Sequence, residues 1–190
     1  MRWTVRKTAF ALLLSAAAGY SGSGMAGNWL PTQSSSDAGI REQLQNAHWV
    51  ADGPKTAKKV IYVFTDPDCP FCNELWKAMQ AAHPSDIQVR YLLVAVIDED
   101  SRGKDAAILE SADPAQALRN NERKFDSGGI SPKHDVQRTT NEAIALNESL
   151  MRGLRIYGTP GTVYWNSSGN LKVFAGMPNS QQLRDILDLK

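Results

Sequence analysis

Cysteine is scarce in this chain, with two residues, Cys69 and Cys72, in a length of 190. A secreted scaffold stapled by disulfides carries more of them at wider spacing, so cross-links are not what holds this fold. A bias of charge is lacking too: 21 lysines and arginines face 20 aspartates and glutamates, a formal net charge of +1. Polyphosphate backbones are bound by concentrated basic surface, so nucleic acid is not an expected partner. The apolar run Thr8–Ala18 is about a dozen residues, well short of the roughly 20 that span a bilayer. No later run does better. Only three histidines occur, His48, His83 and His134, none spaced as a ligand pair with another, and no metal or other cofactor is expected. The length suffices for one hydrophobic core, or for one domain with a subdomain inserted in it.

What is present begins with the three-part layout of a secretory signal. Arg2, Arg6 and Lys7 precede the apolar run, and small residues follow it through Gly27. Residues 1–26 are therefore read as a signal peptide, cleaved after Ala26, with Gly24 and Ala26 as the small flanking residues. An uncleaved anchor is the alternative, and the shortness of the run argues against it. The processed protein is expected in the periplasm, without membrane insertion.

Polar, turn-rich residues 27 to about 38 read as a leader. Ile40–Val50 predicts a short helix with Ile40, Leu44, Ala47 and Trp49 on its apolar side, ended by Gly53 and Pro54. Val60-Ile-Tyr-Val-Phe64 is an unbroken β-branched and aromatic run, the pattern of a strand buried on both faces. A turn at Thr65–Asp68 leads into a helix from Pro70 to about Ala82, closed by Pro84. A second strand covers Ile87–Ile97, which completes a βαβ unit. The charged, alanine-rich stretch from about 98 to 154 predicts three helices, Lys104–Ser111, Pro114–Phe125 and Asn141–Leu154. A hairpin, Gly161–Trp165 and Leu171–Ala175, and a helix N-capped by Ser180 finish the chain.

Chemistry concentrates at Cys69-Pro-Phe-Cys72, where a buried strand gives way to a helix. A thiol at a helix N-terminus faces unpaired N–H groups and the positive end of the dipole. Both favour the thiolate, the species that attacks a disulfide, so Cys69 is expected below the usual thiol pKa of about 8.5. Cys72, one turn on, is positioned to resolve the mixed disulfide from within. No histidine stands between the two, which points to a moderate potential within roughly −120 to −270 mV. Asp66 and Asp68 set negative charge before the pair, opposing the thiolate and screened by solvent. A purely structural disulfide of this spacing closes too small a loop to rigidify much. Half of a zinc site would need two histidines from the three dispersed ones. Asn147-Glu-Ser and Asn166-Ser-Ser match the glycosylation pattern by a chance that is common. Trp49, Trp76 and Trp165 read as packing residues.

The segment Phe64-Thr-Asp-Pro-Asp-Cys-Pro-Phe-Cys72 with Leu75-Trp76 resembles the active-site region of the DsbC/DsbG family of bacterial periplasmic disulfide isomerases, the DsbG branch more closely. Trp49–Gly53, Tyr91–Ile97, Ala106–Leu109 with Asp113-Pro114, Gly158-Thr-Pro160 and Gly176-Met-Pro178 extend the likeness, in order, from about residue 48 to the C-terminus. The resemblance implies an α/β, thioredoxin-like fold over 59–190 with a helical insertion at about 98–154. It implies Cys69 as attacking and Cys72 as resolving cysteine. Thr159-Pro160 takes the place of a cis-proline step beside the thiols, where Thr159 pairs with an extended substrate. Thr159, Pro160 and Phe71 are the expected substrate-binding residues. Exported proteins, as disulfides or oxidised cysteines, are the implied substrates, and a DsbD-type inner-membrane electron donor the implied partner. Family members carry an N-terminal dimerisation domain and linker helix. Here residues 27–58 hold only a leader and a linker-helix remnant, so a monomer, or a dimer of another kind, is expected. Two other roles share these features: a chaperone or binding module using the apolar surface around Phe71, Trp76 and Pro160, and a disulfide-donating oxidase.

Overall fold

Alternation within one strand organises the molecule. In the computed structural model, which describes residues 36–82 and 85–189, β2 (Lys59–Thr65) turns Ile61 and Val63 to one face and Tyr62 and Phe64 to the other. All four are buried, as the unbroken apolar run required. The expected signal peptide and cleavage site, the expected leader as far as Ser35, and His83 and Pro84 lie outside the described residues.

Five strands form one sheet in the order β1-β3-β2-β4-β5. β3 (Ile87–Leu93) runs parallel to β2, from Lys59 opposite Ile87 to Thr65 opposite Leu93. Between them α2 (Pro70–Ala82) makes the crossover, so the βαβ unit is as read from the sequence. β4 (Gly161–Trp165) is antiparallel to β2, and β5 (Leu171–Ala175) to β4. The other edge is β1 (Val50–Asp52), antiparallel to β3.

This edge strand corrects the expected helix over Ile40–Val50. The helix α1 is Asp37–Asn46, capped by the Ser36 hydroxyl accepting from the Gly39 N–H. From Ala47 the chain is extended, and Val50 pairs with Tyr91. The open N–H and C=O groups along β3 decide the matter, since a sheet edge supplies hydrogen bonds that helical periodicity in Trp49 and Val50 cannot outweigh. Ile40, Leu44, Ala47 and Trp49 still pack together against one sheet face.

The insertion follows β3 as α3 (Ser101–Leu109), α4 (Pro114–Arg123), a short turn of 3₁₀ helix (Phe125–Ser127) and α5 (Arg138–Gly153). Strand β3 stops four residues before the expected end, because Val96 and Ile97 turn their N–H groups to a side chain instead of a strand. The last helix, α6 (Ser180–Leu187), is capped by Asn179 and not Ser180; Asn179 and Gln182 close a reciprocal capping box. Side chains of α2, α3, α4 and α6 fill the core on the Ile61 face. Leu44 of α1 and Met151 of α5 fill the Phe64 face. The insertion thus contributes to both cores.

Asn147 of α5 is buried and donates to the carbonyls of His48 and Leu93, at 2.8 and 3.1 Å. It is therefore a tie between α5 and the sheet, not a glycosylation acceptor.

Candidate active site

Sheet register assembles the site. Phe64, next to the last residue of β2, pairs with Gly161, the first of β4. The residues just before β4 are thereby set beside the residues just after β2. The first are Thr159 and Pro160, joined by a cis peptide bond, and the second lead to Cys69. Gly161 permits this approach: a Cβ there would stand 2.5 Å from Cγ2 of Ile156. From the far side, the Gly176 N–H donates to the Pro160 carbonyl at 2.8 Å.

Both cysteines are free thiols. Cys69 precedes α2, whose first residue is Pro70. Proline lacks an N–H where the helix would have left it unpaired, so nothing is lost. The Cys69 thiol donates to the Thr159 carbonyl at 3.4 Å. Its pKa is brought down from 9.0 to about 6, first by a hydrogen bond from the Cys72 thiol, with further help from the Thr159 hydroxyl and from the N–H groups of Cys72 and Phe71; burial opposes them. The helix start therefore acts on this sulfur as it would on a capping oxygen. Cys72 is driven strongly the other way, by burial and then by the Cys69 thiolate it faces. One sulfur ionises and the other keeps its proton. Exposure does not separate the two sulfurs, since Cys69 and Cys72 are at 2 % and 4 %; Phe71, at 55 %, is the exposed residue of the motif.

The aspartates do not behave as the sequence implied. Asp66 is fully buried rather than solvent-screened. It accepts from the N–H groups of Asp68, Val96 and Ile97 and from the Ser101 hydroxyl, which pins the loop after β3 to the site. Burial nevertheless holds its carboxyl above the usual range. Asp68 is paired with Lys104 of α3, so its charge is met by an ammonium. A third carboxyl, Asp105, is buried with neither oxygen partnered, and desolvation holds it well above the ordinary carboxylate range.

A second link was missed entirely. Asn73, next to Cys72, donates to both the carbonyl and the carboxylate of Glu122, each at 2.7 Å. Asn121 donates to the Pro67 carbonyl at 3.0 Å, and its own Oδ1 accepts from Ile130. A signal was available. Ala117, Leu118, Asn121 and Glu122 fall on one face of α4 at helical spacing, and all four are buried. Polar residues at core positions of an amphipathic helix mark a buried contact.

Trp76, at 7 % exposure, belongs to the core and adds nothing to the surface around Phe71. His48 and His134 are exposed, and His83 lies outside the described residues. Among the described residues no three His, Cys, Asp or Glu side chains are grouped to hold a metal ion. Nor is any helix among them long and apolar enough to cross a membrane.

The sequence profile of the thioredoxin-like domain matches residues 50–190. The chain belongs to the thioredoxin-like domain family. Among relatives of this thioredoxin-like chain, the thiol:disulfide interchange protein DsbG of Pseudomonas aeruginosa is 33 % identical over 147 residues, 77 % of this chain and 57 % of that protein. DsbG of Escherichia coli is 33 % identical over 153 residues, 78 % of this chain and 60 % of that one. The likeness to DsbG read from the motifs is thereby borne out, and the chain spans less than two thirds of either relative. Solved structures agree on the thioredoxin-like fold. The catalytic domain of Proteus mirabilis ScsC superposes with a TM-score of 0.61 at 23 % identity, over 80 % of this chain and 94 % of that one. The α-DsbA2 protein of Wolbachia pipientis gives 0.60 at 14 % identity, over 80 % and 91 %.

Proposed function

We propose that the protein is a periplasmic thiol–disulfide oxidoreductase that isomerises or reduces disulfides of exported proteins. The single observation that carries this is the acidified Cys69 sulfur beside the Thr159–Pro160 step, with the protonated Cys72 thiol behind it. In this reading the Cys69 thiolate attacks a substrate disulfide, and one substrate sulfur leaves as a thiolate. Cys72 then either waits, while a second substrate thiolate releases Cys69 with a new pairing, or attacks Cys69 and reduces the substrate. The half-buried Thr159 and the exposed Phe71, with Pro160 buried beside Thr159, form the surface on which the substrate backbone lies. Reduction leaves Cys69 and Cys72 oxidised, so turnover needs a donor of two electrons, for which a DsbD-type membrane protein is the proposed partner. The DsbG relatives, named as thiol:disulfide interchange proteins, support the exchange chemistry of this reading.

Export of a Cys72→Ala variant, followed by acid trapping, tests the mechanism. Mixed disulfides with periplasmic proteins are expected to accumulate on Cys69 and to vanish in Cys69→Ser, Cys72→Ala. Scrambled-ribonuclease refolding and insulin reduction at wild-type rates by Cys69→Ser would overturn it.

A further inference from the structure

β5 is the last strand of the sheet, with β4 on its inner side, and the alternation of hydrogen bonds shows which of its groups face out. At the two ends of the hairpin the Gly176 N–H donates to the Pro160 carbonyl at 2.8 Å and the Asn166 N–H to the Asn170 carbonyl at 3.0 Å. Phe174 opposite Thr162 and Lys172 opposite Tyr164 fall in the same phase of the ladder, so they turn their main-chain groups to β4. Leu171, Val173 and Ala175 lie in the alternate phase and turn theirs to the outer edge. The Leu171 N–H meets the Asp37 carboxylate there at 3.5 Å, while Val173 and Ala175 have no backbone partner on that side among the described residues. A side-chain row also stops at this edge. Tyr62, Val163 and Val173 stand opposite one another on adjacent strands, the first two buried and Val173 43 % exposed. On the other face Lys172 is exposed, and no carboxylate among the described residues pairs with it. The edge adjoins the site already described. Ala175 pairs with Gly161, which follows Pro160, and the next residue, Gly176, holds the Pro160 carbonyl. A strand added to β5 lies two strand spacings, about 10 Å, from β4, a gap that roughly three extended residues span.

We propose that the outer edge of β5 is a docking site for the exported polypeptide whose disulfide Cys69 attacks. An extended segment of that polypeptide adds to the sheet as a further strand, with an apolar side chain opposite Val173 and a carboxylate opposite Lys172. This rests on the oxidoreductase reading above and deepens it, since it gives the protein a hold on its substrate that involves no sulfur. Val173 and Ala175 supply the main-chain hydrogen bonds, and the alternate side chains supply selectivity. The apolar side chain continues the row of Tyr62, Val163 and Val173. Docking beside the site raises the local concentration of the disulfide at Cys69. A second copy of the chain is the competing occupant, and charge argues against it. Two β5 edges paired about Val173 bring the Lys172 side chains of the two copies diagonal to each other on one face, where like charges repel. A carboxylate-bearing segment meets the same ammonium with opposite charge. The five residues of β5 also fall short of the roughly 800 Å² per partner that stable pairs bury, which suits a substrate that must be released.

Single-turnover reduction of a set of peptides by the reduced protein tests this. All carry the same disulfide ring; one ends there, one continues through a short spacer into alternating valine and glutamate, and one into alternating valine and lysine. The ratio of second-order rate constants, tailed over tailless, cancels any change in the thiol chemistry itself. In the wild type the glutamate tail is expected to raise this ratio about 10-fold and the lysine tail to leave it close to unity. In Lys172→Glu the preference between the tails is expected to reverse, which a merely structural role of Lys172 would not produce. Val173→Pro removes an N–H that β4 does not use and is expected to bring both ratios to unity. Equal ratios for the two tails in the wild type, or a glutamate preference that survives Lys172→Glu, overturn the proposal. If Val173→Pro does not fold, Lys172→Glu, at an exposed side chain, decides alone. A cysteine-free glutamate tail separates the two readings. It is expected to shift the amide resonances of Val173 and Ala175 whatever the redox chemistry, and no shift there overturns the docking site. Failure of the wild type to reduce the tailless peptide strikes the oxidoreductase reading instead. A sedimenting dimer that Val173→Pro dissolves would give the edge to a second copy and overturn the proposal.

Discussion

At the scale of single residues, the site is a pair of sulfurs made unlike by a few hydrogen bonds. Cys69 accepts N–H groups from the helix it begins, whereas Cys72 is one turn inside and faces a neighbour already charged. The thiolate fraction of Cys69 falls as pH falls through about 6. Iodoacetamide alkylation of the reduced protein, followed by peptide mass analysis, is therefore expected to rise with a midpoint near 6 at Cys69 and to spare Cys72. A midpoint near 9 would remove the physical basis of the site. The same shift has a sign for stability. A group whose folded pKa is lowered stabilises the fold fully above its unfolded value and loses that contribution as pH falls through the folded one. The Cys69 contribution to the reduced protein therefore grows from about pH 6 to about 9. Glu122, Asp66 and Asp105 act oppositely, since each is raised and favours the fold most while protonated.

Among the elements, α3 and α4 have as much to do with the site as α2. Lys104 of α3 meets Asp68, Ser101 binds Asp66, and Asn121 and Glu122 of α4 hold Pro67 and Asn73. Placement of α3 depends on one glycine. At Gly103 a Cβ would lie 2.7 Å from Pro132 Cβ and 2.8 Å from the Lys133 carbonyl oxygen, and the Lys133 N–H donates to the Gly103 carbonyl at 2.9 Å. Alanine in mid-helix gains up to about 1 kcal/mol in propensity. Crowding against backbone costs about 1–3 kcal/mol, so Gly103→Ala is expected to destabilise. Urea unfolding checks this, and a raised midpoint would show that residues 132–133 yield freely.

For the molecule as a whole, one sheet carries a core on each face and the insertion enters both. Trp76 reports on one face, Trp49 and Trp165 on the other. Tryptophan fluorescence and far-ultraviolet circular dichroism are expected to trace a single coincident unfolding transition. Phe64→Ala, at a residue with no exposure, is expected to shift both by about 3–5 kcal/mol. Separate transitions would make the helical insertion an independent unit.

The sequence alone determined what depends on near neighbours along the chain. The β-branched run of β2, the proline opening α2, the hairpin of β4 and β5, and the Cys-Pro-Phe-Cys spacing are local facts, and each had its physical consequence without help from the rest of the fold. Tertiary structure decided what depends on partners far away in sequence. Val50 became a strand because Tyr91 offered it an open edge, and Asp66 lost its water because Val96, Ile97 and Ser101 closed over it. Glu122 became part of the site because α4 packs its polar pair against Asn73. Hydrogen-bond partners and burial are set by which surfaces meet, and one-dimensional spacing does not contain that choice.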